Sequence, residues 1–440
     1  MPATDIAPSS IHDTVARHVL ADGFHVAIDL EHSHGSWIVD AVSGREILDF
    51  YSYFATLPVG HNHPRLTGDP EFMAALTRAA IANPANSDIY SAEYAAFIDT
   101  FARLAMPAEF RYLFFVAGGA LAVENALKTA FDWKRRANLA AGRGDLGRQV
   151  IHFREAFHGR SGYTMSLTNT DPVKTEGFPQ FEWPRIVNPK LSFPVTPEVE
   201  ERTAELERQA VAEIERAFAE HPHDIAAIII EPIQGEGGDN HFRGSFFAEL
   251  RRLADEHEAL LIFDEVQTGL GLTGKLWAYQ HFGVTPDIVA FGKKTQVCGI
   301  MATERLDRVP GNVFHTPGRL NSTWGGNLVD MVRGGKYLEI IHQEKLVDNA
   351  ALMGKRLLVG LEEIAGRHDV VSNVRGRGLF SAFTLPTAAI RDRLRSALWE
   401  NGLATLASWP TSIRFRPCLN LSAAEVDTAL GRLEDAIGAL

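Results

Sequence analysis

Residues 224–232 read DIAAIIIEP, residues 245–258 read SFFAELRRLADEHE, and residues 259–266 read ALLIFDEV. The first and third segments are short and almost wholly apolar, whereas the segment between them places its apolar residues at helical spacing. Apolar strands that alternate with amphipathic helices are typical of a parallel sheet covered by helices on both faces. This stretch therefore predicts an α/β fold.

The same alternation extends to both sides of this stretch. RYLFFVAG (residues 111–118) precedes the helical pattern ALAVENALKTAFDWKRR (120–136), and QVIHF (149–153) and DIVAFGK (287–293) read as further buried strands. Ligands of open α/β sheets bind outside the carboxyl ends of the strands. We therefore expect functional side chains directly after these segments.

The two ends of the chain have a different pattern. SWIVDAVSGREILDFYS (residues 36–52) alternates around a Ser-Gly turn, and helical patterns return towards the carboxyl terminus on either side of a strand in SIRFRP (412–417). We predict that residues 1–70 and 331–440 combine into a smaller α+β domain beside a large α/β domain at residues 71–330.

Composition excludes several classes of protein. The 440 residues include 43 Lys and Arg against 55 Asp and Glu, a net charge of −12, with no basic block suited to nucleic acid or an anionic membrane. Cys298 and Cys418 are the only cysteines, which excludes a disulfide framework and a cysteine-built zinc site. No apolar run approaches the ~18 residues of a membrane span. We expect a cytoplasmic protein without a metal and without a nucleic-acid or membrane partner.

Two patterns suggest ligands that their context argues against. A G-x-G-x-x-G run at residues 142–147 follows a predicted helix and precedes a strand, the reverse of the order in a dinucleotide-binding motif. His61 and His63, like His221 and His223, lack carboxylates at metal-ligand spacing. We expect these histidines to be solvated loop residues.

An anion site is expected after the strand RYLFFVAG. Gly118 and Gly119 follow the apolar run, and a helical pattern starts at once with Ala120. Free N–H groups at a helix N-terminus, with the helix dipole behind them, suit a phosphate. A plain tight turn is the alternative interpretation.

Charged side chains end two other predicted strands. Asp264 ends the apolar run of LLIFDEVQTG (residues 260–269), where a carboxylate needs a cationic partner: a protonated pyridine nitrogen, or an Arg or Lys elsewhere in the chain. Gln267 is neutral and could donate a hydrogen bond to a phenolic oxygen on the same ring. Lys293 ends PDIVAFGK and, partly desolvated, can form a Schiff base with a carbonyl cofactor. Lys294 should point elsewhere, either to the surface or behind the site.

A phosphate turn, a strand-end Asp and a strand-end Lys, in that order, resemble the pyridoxal-phosphate enzymes of the aspartate-aminotransferase fold. IIIEPIQGEGG (residues 228–238), LLIFDEVQTG, PDIVAFGK and FHGR (157–160) are each typical of class III (ω-) aminotransferases, and the resemblance covers nearly the whole chain. FHGRSGYTMSLTNT, FGKKTQVCG and NSTWGGN (321–327) are similar to the lysine ε-aminotransferases of that class. The implied fold is the α/β pyridoxal-phosphate fold type I with a second, smaller domain.

The resemblance implies pyridoxal 5′-phosphate as cofactor and a homodimer with active sites at the subunit interface. It implies transfer of the ε-amine of L-lysine to 2-oxoglutarate, which gives L-glutamate and 2-aminoadipate 6-semialdehyde, a product that cyclises to piperideine-6-carboxylate. Another ω-aminotransferase, acting on ornithine, 4-aminobutyrate or non-natural amines, is the nearest alternative. A non-catalytic regulator that binds pyridoxal phosphate is a more distant one.

The resemblance also assigns cofactor-binding residues. In chain order they are Gly119, Ala120, Phe157, Asp264, Gln267, Lys293 and Thr323. Gly119 and Ala120 match positions whose backbone holds the phosphate, and Phe157 matches the aromatic ring that stacks on the cofactor. Thr323 matches a residue that reaches the phosphate of the neighbouring subunit. Asp264 and Lys293 are also the implied catalytic residues.

The implied substrate-binding residues are Arg160, Glu236, Gln267, Asn321 and Arg414. Arg414 matches the residue that grips the α-carboxylate, which must lie far from the cofactor when an ε-amine reacts, and Arg160 matches a second carboxylate binder. Glu236 matches an acid that pairs with an arginine while lysine is bound and releases that arginine for 2-oxoglutarate.

The chain departs from the pattern of the lysine ε-aminotransferases at two positions. Ala117 stands where an acidic residue is usual, and Trp409 stands where a small residue is expected. A small residue at position 117 should leave the phosphate cradle intact. Trp409, close in sequence to Arg414, could reshape the end of the pocket that holds the carboxylate.

Overall fold

The structure is a computed structural model and describes residues 6–440. Its helices are α1 (Ile11–Ala16), α2 (Ser52–Ala55), α3 (Pro64–Thr67), α4 (Pro70–Ile81), α5 (Ala92–Leu104), α6 (Gly119–Ala140), α7 (Gly162–Leu167), α8 (Pro197–Glu220), α9 (Gly244–Glu256), α10 (Leu328–Gln343), α11 (Leu346–Arg367), α12 (Ala388–Glu400) and α13 (Ala423–Gly438). Within the described residues, no helix combines the length and the apolar character needed to cross a membrane.

The strands form three sheets. They are β1 (Trp37–Val39), β2 (Glu46–Asp49), β3 (Phe110–Val116), β4 (Gln149–Phe153), β5 (Arg185–Ile186), β6 (Ile225–Ile230), β7 (Leu260–Asp264), β8 (Ile288–Phe291), β9 (Cys298–Thr303), β10 (Ser372–Arg377), β11 (Phe380–Thr384), β12 (Leu403–Ala404), β13 (Leu406–Ser408) and β14 (Ser412–Phe415).

The large sheet has the strand order β3-β9-β8-β7-β6-β4-β5. Every neighbouring pair from β8 to β5 is parallel, whereas β9 is antiparallel to both β8 and β3. Two reversals cancel, so β3 runs in the same direction as β8. The predicted α/β fold with a mainly parallel sheet is confirmed. The antiparallel strand β9 was not predicted.

Side chains of the large sheet alternate between two cores on its opposite faces, as the period of a strand requires. From β6 and β7, Ile228 and Phe263 belong to one core, and Ile229 and Ile262 belong to the other. Helix α9 buries its apolar residues in the first core and α6 buries its own in the second. Burial on both faces explains why the strands read as continuous apolar runs.

The two ends of the chain meet in a small three-stranded sheet of order β1-β2-β12. Strand β2 pairs antiparallel with β1 and parallel with β12, where Leu48 lies opposite Leu403. Between β1 and β2, Gly44 has a φ of 71°, which suits the predicted turn. A four-stranded antiparallel sheet of order β10-β11-β14-β13 completes this part of the molecule. The boundaries at residues 70/71 and 330/331 stay predictions.

The structure shows where the glycine run and the histidine pairs of the sequence lie. The glycine run at residues 142–147 lies between α6 and β4, in the predicted order. The prediction of solvated histidines is wrong for His61 and His63, which are both buried. Their Nε2 atoms lie 3.4 Å from Asp49 Oδ2 and 3.3 Å from Glu344 Oε2. These carboxylates satisfy imidazoles that would otherwise lose their hydrogen bonds to water.

Candidate active site

The carboxyl ends of β3, β4, β6, β7 and β8 meet at one edge of the large sheet, because these strands run in one direction. A cavity of about 440 Å³ lies at this edge. It is lined by Thr56, Gly119, Ala120, Phe157, His158, Gly159, Arg160, Glu231, Asp264, Val266, Gln267, Lys293 and Cys298. The cavity therefore brings together most of the residues that the sequence singled out, where the rule for open α/β sheets places a ligand.

The turn from β3 into α6 forms a cradle at one side of the cavity. Gly118 has a φ of 104°, a backbone conformation that favours glycine, and α6 begins at Gly119. The first N–H groups of a helix have no carbonyl partner within the helix. A Cβ on Gly119 would lie only 2.9 Å from Val266 Cγ1, so the close approach to Val266 requires a glycine here. The cradle can thus receive an anion through its backbone.

Asp264 is buried at the end of β7 and is held by two partners. Its Oδ2 lies 2.8 Å from Nδ1 of the buried His158, and its Oδ1 accepts from the Val266 N–H at 3.0 Å. Burial alone would lower the pKa of His158, but the hydrogen bond and the charge of Asp264, with the charge of Glu231, outweigh it and raise that pKa. His158 therefore supplies the hydrogen bond that a buried carboxylate at this strand end requires.

Glu231, directly after β6, is a cavity residue to which the sequence assigned no role. Its Oε1 accepts from the Phe157 N–H at 2.9 Å and its Oε2 from the Gly235 N–H at 3.0 Å. Burial, together with the charge of Asp264, raises the pKa of Glu231 to about 7, and His158 opposes this shift. Its position after an apolar strand, like that of Asp264 after β7, was the signal that could have identified it.

Lys293 lies two residues beyond β8 and lines the cavity. Its φ of 55° places it in the left-handed region, which is uncommon for a residue with a side chain. Burial lowers the pKa of Lys293 to about 8, and the charges of Arg414 and Arg416 act in the same direction. Asp264 and Glu231 oppose the shift. About a tenth of this amine is therefore neutral, and nucleophilic, at pH 7, far more than of a lysine with the usual pKa.

Lys294 lies behind the cavity and not at the surface. Its side chain is buried, and its Nζ donates to the backbone oxygens of Gln267 at 3.0 Å and Ala55 at 3.3 Å. Burial and the charge of Lys293 hold the pKa of Lys294 well below its usual range. Lys294 thus ties the backbone at Gln267 to α2 and leaves Lys293 as the lysine that faces the cavity.

Helix α2 is a single left-handed turn. All of its residues have a positive φ, from 39° at Ser52 to 67° at Ala55, and none is glycine. Asp49 Oδ1 accepts from the Ser52 N–H at 2.7 Å, and the carbonyl of Thr56, which lines the cavity, accepts from Gln296 Nε2 at 2.7 Å. Such conformations are costly and persist only where the surroundings hold them. Here they position one wall of the cavity.

Gln267 joins the cavity to two arginines of the small domain. Its Oε1 accepts from Arg416 Nη2 at 2.9 Å and from Arg414 Nη1 at 3.3 Å. With its acceptor occupied, Gln267 has its Nε2 donors left for a ligand, which agrees with the expected bond to a phenolic oxygen. Gly235 packs so closely on Gln267 that a Cβ would lie 2.3 Å from Oε1. The loop after β6 therefore fixes this amide.

The two arginines differ in how fully they are bound. Arg416 is completely buried, bonds to Asp239 Oδ1 at 2.7 Å, and lies with its guanidinium 3.4 Å from the ring centroid of Phe380. Arg414 is also buried, but its Nε makes no hydrogen bond within the described residues. Arg416 is thus held in place, whereas Arg414 retains a free donor for a carboxylate.

Glu236 is bonded to a lysine and not to the expected arginine. Its Oε1 accepts from Lys174 Nζ, while its Oε2 is buried without a partner among the described residues. Lys174 Nζ also lies 5.7 Å from the ring centroid of Phe157, which lines the cavity. The backbone oxygen of Glu236 accepts from the Trp409 N–H at 3.1 Å, so Trp409 is a neighbour of this loop. Lys174 is a residue that sequence reasoning missed.

Three predicted site residues are exposed to solvent. Arg160 lines the cavity and is exposed. Asn321 and Thr323 are exposed and lie outside the lining of the cavity. The predicted role of Thr323 belongs to a neighbouring subunit, and it stays a prediction.

The residues of the cavity fit pyridoxal phosphate. The cradle at Gly119 suits a phosphate, and Lys293 supplies an amine of lowered pKa for the aldehyde. Asp264 lies in the same cavity as a carboxylate for a protonated ring nitrogen, and Phe157 offers an aromatic face. These groups lie on separate strands and loops around one space, as a planar ring with a phosphate arm requires.

Comparison with known proteins agrees with this geometry. The family model for Aminotransferase class-III matches residues 20–437. The chain is 52% identical to an L-lysine-epsilon aminotransferase of Mycobacterium tuberculosis, over 98% of this chain and 96% of that protein. It is 48% identical to an L-lysine-epsilon aminotransferase of Streptomyces clavuligerus, over 98% of this chain and 94% of that one.

Among solved structures, the chain is similar to a lysine aminotransferase from M. tuberculosis in the internal aldimine form. The two chains are 51% identical and superpose with a TM-score of 0.97. The match covers 99% of this chain and 100% of that one. The match to the family model and the identity to its members are both far above what shared fold alone would give. The chain therefore belongs to the class III aminotransferases, and pyridoxal phosphate is its cofactor.

Proposed function

We propose that this protein transfers the ε-amine of L-lysine to 2-oxoglutarate. The products are L-glutamate and 2-aminoadipate 6-semialdehyde, which cyclises to piperideine-6-carboxylate. The observation that carries this proposal is that Lys293, an amine of lowered pKa, shares a cavity with Gln267, which accepts a hydrogen bond from Arg414, a buried arginine with a free donor. The substrate named by the M. tuberculosis and S. clavuligerus relatives supports it.

Bound pyridoxal phosphate supplies an electron sink for the carbon that carries the amine. The cradle of Gly119 and Ala120 would hold its phosphate, and Asp264 would stabilise the protonated form of its ring nitrogen. His158 orients the Asp264 carboxylate through the 2.8 Å contact. Lys293 Nζ, partly neutral because of its lowered pKa, accepts the proton from the ε-carbon of bound lysine.

A carboxylate binder at the far end of the site selects the ε-amine. Lysine presents its α-carboxylate several methylenes from the reacting amine, so the arginine that binds it must lie away from Lys293. Arg160 lines the cavity and is exposed, whereas Arg414 is close enough to Lys293 for its charge to lower the pKa of that lysine. A charge-assisted bond between an arginine and a carboxylate is strong and directional. We assign Arg160, with Asn321, to the α-carboxylate of lysine, and Arg414 to the carboxylate of the keto acid that lies next to the reacting carbon.

Glu236 resolves the conflict between the two substrates. Lysine has one carboxylate and 2-oxoglutarate has two. One arginine must therefore be neutralised while lysine is bound and free while 2-oxoglutarate is bound. Glu236 Oε2 and Arg414 Nε are both buried and unpaired among the described residues, and their charges are opposite. We propose that they pair while lysine reacts and separate when the keto acid binds.

The assembly and location belong to the same proposal. A homodimer would let Thr323 of one subunit complete the phosphate site of the other, which explains why Thr323 is exposed in a single chain. The acidic composition supports a cytoplasmic enzyme without a nucleic-acid or membrane partner.

Isotopic labelling tests the proposal directly. The purified holoenzyme is incubated with 2-oxoglutarate and L-lysine that carries ¹⁵N at either the ε- or the α-position, and the label in glutamate is measured by mass spectrometry. We expect label in glutamate only from the ε-position. Label from the α-position would contradict the assigned regiochemistry.

The same assay with other donors separates the alternatives. Ornithine and 4-aminobutyrate are offered at the same concentration as lysine. Faster glutamate formation from either of them would make this chain another ω-aminotransferase. No glutamate from any donor, by a protein that holds its cofactor, would favour the non-catalytic regulator.

A further inference from the structure

We propose that Lys174 is a specificity-determining residue of this site, because it holds Glu236 in the position that leaves Arg414 free for a dicarboxylate. The inference rests on the proposed function and deepens it. In that function the Glu236 carboxylate acts as a gate with two positions, closed when it pairs with Arg414 and open when it leaves Arg414 free. Lys174 is the partner that the open position requires. The contact that carries it is the bond from Lys174 Nζ to Glu236 Oε1.

The gate as proposed above has one defined partner for Glu236, the arginine. A carboxylate that leaves an arginine inside a protein needs another cation, since an unpaired buried charge is costly. Both side chains of the Lys174–Glu236 pair are largely covered, with 19% and 20% of their areas exposed. Lys174 is therefore positioned to stabilise the open position of the gate.

Two unpaired atoms identify the other position. Glu236 Oε2 and Arg414 Nε are buried and make no hydrogen bond within the described residues. Arg416 cannot take the place of Arg414, because Asp239, Gln267 and the ring of Phe380 already hold it. In the structure the gate thus stands open, with Lys174 occupied and Arg414 available.

The backbone at Glu236 is tied to the strand next to the one that carries Arg414. Ser408 Oγ, on β13, donates to the carbonyl of Gly235 at 3.0 Å, and the Trp409 N–H donates to the carbonyl of Glu236 at 3.1 Å. Strand β13 pairs with β14, which carries Arg414. The main chain at Glu236 is therefore anchored beside the arginine strand, and a change of side-chain rotamer is the motion that the gate requires.

The proposal predicts opposite effects on the two kinds of substrate. Without the Lys174 ammonium, the Glu236 carboxylate has Arg414 as its remaining cation, so the closed position gains population. Dicarboxylates must then displace Glu236 and bind more weakly, whereas lysine does not. For a largely covered ion pair we expect a change of about fivefold.

The test uses the holoenzyme and the variant Lys174→Met, with Lys174→Arg as the charge-conserving variant. The dissociation constant of glutarate, a dicarboxylate that cannot react, is measured by calorimetry. Single-turnover rates with L-glutamate and L-lysine are measured by the change in cofactor absorbance. For Lys174→Met we expect glutarate to bind about fivefold more weakly and the glutamate-to-lysine rate ratio to fall by about the same factor. Lys174→Arg should restore both.

Two further variants make the result specific. Lys336→Met removes the lysine of another largely covered pair, Lys336–Asp69, which joins α10 to the residue before α4 and has 20% and 29% of its side-chain areas exposed, and it should change neither quantity. In a Glu236→Gln background, Lys174→Met should also have no effect, because Lys174 acts through the carboxylate. An equal loss in that background would overturn the proposal, and so would wild-type glutarate affinity in Lys174→Met.

Failure of this inference can be told from failure of the proposed function. If wild-type enzyme does not take the ε-amine of lysine, the proposed function is wrong, and the labelling experiment shows it. If wild-type enzyme transfers that amine while Lys174→Met keeps the wild-type rate ratio and glutarate affinity, only the role of Lys174 is wrong.

Discussion

Lys293 is surrounded by charges of both signs, and the balance sets its reactivity. Burial and the nearby Arg414 and Arg416 disfavour its ammonium form, while Asp264 and Glu231 favour it. The net result is a pKa lowered to about 8. A lysine must be neutral to attack an aldehyde, so Arg414, the arginine assigned to the substrate, also prepares the lysine for its cofactor.

The pKa of Lys293 predicts how cofactor binding depends on pH. When pyridoxal phosphate is added to apoprotein, the rate of colour formation should rise with pH and level off above about 8. At pH 6 it should be about a hundredfold below the plateau, because only the neutral amine reacts. Stopped-flow absorbance measures this rate. Lys294→Met should keep the colour and Lys293→Ala should lose it, and colour in Lys293→Ala would refute the choice between these adjacent lysines.

Asp264→Asn should slow the half-reaction with L-lysine by roughly a hundredfold, as expected for the loss of one preorganised electrostatic contact. The amide is nearly isosteric but cannot stabilise a protonated ring nitrogen. Single-turnover absorbance measures the rate, and thermal unfolding of the same variant reports any damage to the bond with His158. An unchanged half-reaction rate would remove Asp264 from the mechanism.

Among the helices, α11 shows most clearly how close packing fixes the small domain. A Cβ on Gly354 would lie 2.0 Å from the backbone carbon of Gly378, at the turn between β10 and β11. Gly354→Ala should therefore destabilise the protein by about 3 kcal/mol or more, because the backbone must move. Thermal unfolding measures the effect.

Gly366, in the same helix, provides a matched control. A Cβ there meets nothing within 4 Å. Gly366→Ala should raise stability slightly, by ~0.5 to 1 kcal/mol, since alanine favours a helix more than glycine does. Equal destabilisation by both substitutions would show that helix α11 is not fixed by contact with the β10–β11 turn.

The burial and pairing of each element explain whether the sequence could predict it. The parallel strands β6, β7 and β8 are apolar on both faces and were read directly, and with them the positions of Asp264 and Lys293. Strand β9 is equally buried, but an apolar run carries no sign of its direction, so its antiparallel pairing could not be read. Lys174 was missed because its partner is 62 residues away and only the fold brings them together.

For the molecule as a whole, the assignment of Thr323 to the phosphate of a neighbouring subunit predicts shared active sites. Thr323→Asp should repel the phosphate bound in the site of the neighbouring subunit. Lys293→Ala removes the amine from the site of the subunit that carries it. Each variant alone should be inactive. Mixing them by joint refolding should restore about a quarter of the wild-type activity, because half of randomly formed dimers are mixed and each has one intact site. Activity of the mixture and its mass by light scattering provide the measurements, and a mixture without activity would argue against sites completed by the partner.

The pairing of β2 with β12 bears on how the protein is made. Leu48 leaves the ribosome early, but its partner Leu403 is translated only when the chain is almost finished. The large sheet, whose strands lie between residues 110 and 303, can assemble while synthesis continues, since domains fold as units during translation. The amino-terminal segment must wait beside it with the apolar side of β2 uncovered. Truncated or stalled products of this gene should consequently depend on chaperones more than the finished chain does.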